Sequence, residues 1–96
     1  PICQITKDDE KPIRAFIFQK AGRTCIIYWH MNGTGQLTLD IEKNKLSLMN
    51  ESGKRIPIRS AGSKSILPAA GRLILETALP QEEVIKLFRK SIEIIK

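Results

Sequence analysis

One imidazole, His30, and two thiols, Cys3 and Cys25, make up the chain's entire stock of nitrogen and sulfur ligands of the kind that hold zinc. A structural zinc site needs about four such ligands at close spacing. Cys25 and His30 stand five residues apart on a segment that reads as a strand, so their side chains point to opposite faces and cannot chelate together. Cys3 and Cys25 lack zinc-finger spacing, and two readings stay open for them. Cys25 is a buried small hydrophobe with Cys3 in an arm, or the two form one disulfide. The carboxylates give no catalytic pair either. Asp40 falls on the polar side of an alternating strand, Asp8, Asp9 and Glu10 fall in the N-terminal arm, and acid–base work needs two carboxyls held together in contrasting environments. Gly33-Thr34-Gly35 is too short to cradle a phosphate, and no glycine-rich turn opens a helix. A serine nucleophile would need His30 and an acid to converge from separate strands. The residues therefore predict no catalytic site, no metal and no cofactor.

Binding chemistry has more to work with. Tyr28 and His30 share one face of their strand, and Arg55 and Arg59 lie in a basic stretch with Lys54 and Lys64; these four, Tyr28, His30, Arg55 and Arg59, are the candidate ligand surface. Trp29, of opposite parity to Tyr28, is expected in the core beside Phe16, so the adjacent rings form no two-ring sugar platform. The net charge of +6 invites a polyanion reading. The basic residues, however, are dispersed from Lys7 to Lys96 with no three in succession, so no specific nucleic-acid partner is expected.

Ninety-six residues with 42% hydrophobic and 27% charged side chains suit one globular domain rather than a disordered chain. No apolar run approaches the ~20 residues of a membrane-spanning helix. Pro1 to Lys11 carries little apolar pattern and reads as an arm or linker remnant, leaving 12–96 as the single domain. Ile13–Gln19 and Thr24–His30 read as a hairpin closed at Lys20 and Arg23, which pairs Phe18 with Cys25, Phe16 with Ile27 and Arg14 with Trp29 on one face. Ile17 with Ile26, Ala15 with Tyr28 and Ile13 with His30 share the other. Gln36–Ile41 alternates strictly, Leu46–Asn50 follows, and Arg55–Arg59 reads as an edge strand or bulge because of Pro57. Ser65–Leu67 and Arg72–Thr77 complete the set, separated by Pro68-Ala69-Ala70-Gly71. After Pro80, Val84, Ile85, Phe88, Ile92 and Ile95 form one helical stripe, with Gln81-Glu82-Glu83 at the positive end of the helix dipole.

The expected fold is mainly β, a small antiparallel β-sandwich of about seven strands with one C-terminal amphipathic α-helix. Both hairpin faces are apolar, so one should meet the second sheet and the other should be covered, with the helix or a neighbouring domain as the cover. The helix is assigned to Ile13, Ala15, Ile17 and Ile26.

From Arg14-Ala15-Phe16-Ile17-Phe18 through Ile26-Ile27-Tyr28-Trp29-His30, the alternating Leu37–Ile41, the glycine turn after Leu46–Asn50 and the closing Leu73-Ile74-Leu75 before Pro80, the chain resembles the accessory β-sandwiches that follow the catalytic barrel in glycoside hydrolases. The resemblance covers about residues 12–80. The helix from Gln81 and the lack of a proline–aromatic ending depart from it. It implies a non-catalytic module serving stability and interdomain packing, with a catalytic domain of the same chain or another domain as partner. It carries over no catalytic residue, since those belong to the barrel. The alternative expectation is a module binding a glycan or nucleic acid.

Overall fold

The computed structural model describes residues 3–5 and 11–94. Alternation of apolar and polar side chains organises these into two antiparallel sheets and one helix, the mainly β architecture expected. The strands are β1 (Cys3–Gln4), β2 (Ile13–Lys20), β3 (Arg23–His30), β4 (Thr34–Leu39), β5 (Leu46–Asn50), β6 (Arg59–Ala61), β7 (Lys64–Ala70) and β8 (Leu73–Thr77); the helix is α1 (Gln81–Glu93). A 3-10 turn, Lys43–Lys45, precedes β5. The larger sheet runs β1-β2-β3-β8-β5 and the smaller β4-β7-β6.

The β2–β3 hairpin has the predicted register throughout, from Ile13 opposite His30 to Lys20 opposite Arg23. Its two-residue turn places Ala21 at φ 52° and Gly22 at φ 77°. Two successive left-handed residues match the twist of the flanking strands, and glycine takes that conformation without a Cβ clash.

The inner face of the larger sheet carries Ile13, Ala15 and Ile17 from β2, Ile26 and Tyr28 from β3, Leu73 and Leu75 from β8 and Leu48 from β5, all buried. Leu37 and Leu39 of β4 and Leu67 and Ala69 of β7 oppose them across the sandwich, and Val84, Phe88 and Ile92 of the helix join the same cluster. α1 packs beside β4 and β2, closing one side of the sandwich. The helix thus buries the Ile13–Ile26 face, as expected, but the smaller sheet covers that same face and not the opposite one, contrary to the expectation that each hairpin face has its own cover. Ile95 lies outside the described residues, and Ser91, not anticipated in the stripe, is buried.

Three expectations need correction. The arm is partly structured: Cys3 and Gln4 pair with Ile17 and Phe16, and Ile5 is 1% exposed. Ile5 N–H donates to Ala15 O at 2.8 Å, and Ile5 O accepts from Arg89 Nε at 2.8 Å, so strand pairing and the helix grip the segment from two sides. Asp8, Asp9 and Glu10 lie outside the described residues. Secondly, Arg55–Arg59 is no strand. It touches β5 through a Met49–Arg55 bridge and an Ile56 N–H···O=C Leu48 bond, then crosses to the smaller sheet, where β6 begins at Arg59. Its alternating Ile56 and Ile58 pack on the core as the chain crosses. Thirdly, β7 continues through Pro68 instead of stopping. Pairing with β6 ends at Ile66, so Pro68 sits where one flank of the strand is open, the position a residue without an N–H tolerates.

Candidate interaction surface

The four residues expected to form a ligand surface do not assemble. Tyr28 is fully buried at the centre of the larger sheet, its ring edge-on to Phe88 with centroids 5.5 Å apart. Its hydroxyl donates to Pro68 O at 2.8 Å, tying one sheet to the other, and burial raises its pKa above the ordinary phenol value. It is a core residue with a satisfied polar end. His30 is half-buried at the end of β3, where its Nδ1 accepts the Asn32 N–H at 3.1 Å. Gly35 backs onto the imidazole so closely that a Cβ there would stand 2.8 Å from His30 Cδ2. That contact places His30 on the side of β4 shared by Leu37 and Leu39. Arg59 reaches the other side, donating from Nη2 to Gln36 Oε1 at 2.9 Å, and Arg55 is exposed beside β5.

Cys25 is buried as a free thiol, its pKa raised chiefly by desolvation and next by the Glu76 carboxylate. The Cys3 side chain lies outside the described residues. Among the described residues no group of three histidine, cysteine or acidic side chains converges on a metal-sized site.

The feature with the strongest chemical character is the outer face of the larger sheet. Strand register aligns Phe16 of β2, Ile27 of β3, Ile74 of β8 and Met49 of β5 into one apolar row across four strands. Phe18 flanks the row on one side and Trp29 on the other; all six side chains are half-buried, and none belongs to the core cluster or packs against it. The Trp29 expectation is therefore half right. The ring does stack on Phe16, with centroids 5.7 Å apart and planes 18° from parallel, but on the outside of the sheet. The Arg72 guanidinium lies 5.3 Å from the Trp29 centroid. A cation over the ring face is a favourable arrangement, and it occupies the surface on which a sugar would stack. Arg23 pairs with Glu76 at the other end of the face.

Compared with protein-family models, with characterised proteins and with solved structures, the chain matches none. No described helix is long and apolar enough to cross a membrane.

Sequence parity assigns the two faces of the hairpin correctly. It carries no signal for which face the rest of the fold will cover, because the cover comes from β4, β7 and α1, tens of residues away.

Proposed function

We propose that this domain is a non-catalytic packing module, whose outer sheet face seats against the surface of a second folded protein domain. The observation that carries the reading is the Phe16–Ile27–Ile74–Met49 row with Phe18 and Trp29 beside it. The opposite face is already filled by the domain's own core, so this row is apolar area beyond what the fold uses. In the form that the family resemblance implies, the second domain is the catalytic domain of a carbohydrate-active enzyme, a glycoside hydrolase.

The chemistry of the face favours a protein occupant. Three of its six side chains are aliphatic or thioether, which pack well in a protein interface and offer a sugar no stacking plane. Its two stacked rings face one another, and Arg72 covers the indole. A second copy of the chain would bring two +6 surfaces together around this face, which opposes self-pairing and favours a partner with acidic groups at the rim of an apolar patch.

The test is thermal coupling in the complete gene product. Ile27→Thr with Ile74→Thr keeps β-branched side chains in both strands while making the row polar. The double variant is expected to shift the melting of the 96-residue domain by only a few degrees, on the order of 1 kcal/mol for half-exposed positions. In the complete gene product it should split a shared transition into two. An equal, small shift in both settings would contradict the packing role.

A further inference from the structure

Away from the apolar sheet face, the open flank of the sandwich carries a second surface. The chain segment 55–58 crosses from β5 to the smaller sheet and leaves a cleft of about 360 Å³ beside β5. Leu46 and Leu48 of β5 and Ile56 and Ile58 of the crossing segment line it, with Lys43 and Arg55 among its walls. A neighbouring cleft of about 320 Å³ shares Asn44 with the first and carries Lys45 and Arg23. Lys43, Lys45 and Arg55 are exposed, and the charged group of none of them forms an ion pair or hydrogen bond with the described residues. Glu42 is the acidic side chain nearest in sequence and lines the next cleft along, with Ser60 and Gly62. Two cations separated in sequence, Lys43 and Arg55, thus share one apolar cleft, with Lys45 on the cleft beside it.

We propose that this cleft binds an acidic peptide segment, one apolar side chain seated against the half-buried Leu46, Ile56 and Ile58 while flanking carboxylates meet Lys43 and Arg55. Charge complementarity selects the occupant: unpaired ammonium and guanidinium groups at the mouth call for anions, and the wall calls for an aliphatic anchor. A single-stranded nucleic acid would need aromatic rings on which bases stack, and the cleft has none. The cleft adjoins the edge of β5, and the inference does not depend on the packing role of the outer sheet face.

The experiment titrates three capped pentapeptides into the ¹⁵N-labelled 96-residue chain at low salt: Glu-Leu-Glu-Leu-Glu, Glu-Gly-Glu-Gly-Glu and Lys-Leu-Lys-Leu-Lys, with a ten-nucleotide oligothymidine as a fourth probe. The acidic leucine peptide should bind saturably, shifting the amides of Leu46, Ser47, Leu48, Arg55, Ile56 and Ile58 above all others. Lys43→Ala and Arg55→Ala should each weaken it roughly two- to five-fold, as exposed charge pairs do, with the spectrum otherwise unchanged. Raising the salt to about 1 M, where screening acts within ~3 Å, should weaken it further. Equal binding of the lysine or glycine peptide, tighter binding of the oligonucleotide, shifts centred elsewhere, or no saturable shift would each overturn the proposal.

Discussion

Phe88→Ala is expected to destabilise the domain by about 3–5 kcal/mol, the usual cost of emptying a large buried aromatic site. Phe88 is fully buried and meets the Tyr28 ring edge-on, so the substitution removes both packing area and an aromatic contact at the junction of helix and sheets. A domain of this size has about 5–15 kcal/mol of total stability. The variant should therefore melt at least about 12 °C lower in a calorimeter. Truncation after Leu79 is more severe. It strips Val84, Phe88 and Ile92 from the core, each contributing about 1.5–3 kcal/mol, and leaves Ile5 O without its Arg89 donor. The truncated chain should show no cooperative transition. A truncated chain that is monomeric, cooperative and equally stable would mean that α1 belongs to an interface and not to this core.

Tyr28 should show a comparable effect with a pH signature of its own. Tyr28→Ala empties a fully buried ring position between the sheets, at about 3–5 kcal/mol. Tyr28→Phe keeps the ring and deletes only the hydroxyl bonded to Pro68 O, at roughly 1–3 kcal/mol. Burial raises the folded-state pKa of Tyr28 above its unfolded value near 10. The stability linked to the neutral phenol is fully present below about pH 10. It is lost as pH rises from there towards the folded-state value, because the unfolded chain releases the proton first. The slope for this one proton is about 1.4 kcal/mol per pH unit. Denaturant unfolding between pH 9 and 11 should show this loss in the native sequence, and Tyr28→Phe should lack that component. Identical pH profiles for the two would show that the hydroxyl ionises freely in the folded state.

The hairpin and the helix were legible because their signals are local. A turn closed at Lys20 and Arg23 fixes every cross-strand pair by counting, and the stripe through Val84, Phe88 and Ile92 repeats within a few turns. Burial of Tyr28 was not legible. Parity puts it with His30 on one face, but whether that face is core or surface depends on Pro68, Leu37 and Phe88. Residues 55–58 misled for a related reason. Ile56 and Ile58 alternate with Arg55 and Pro57 as a strand does, yet the alternation serves a chain crossing between sheets. Burial of Ile5 was not legible because Ile2 and Ile5, three apart in a polar arm, give no strand period, and its burial comes from pairing opposite Ala15 and from Arg89, 84 residues on. The meeting of Lys43 and Arg55 at one cleft likewise arises only when β5 and the crossing segment lie side by side.

The packing role rests on the row from Phe16 to Met49 being covered in the complete protein. Hydroxyl-radical footprinting of Phe16, Phe18, Trp29 and Met49 measures that cover directly, comparing the 96-residue domain with the complete gene product. All four should oxidise readily in the domain alone, consistent with their half-buried positions, and become protected together in the complete product, while exposed Met31 on the β3–β4 turn keeps its reactivity in both. Equal oxidation of the four residues in the two forms would contradict the role assigned to this face.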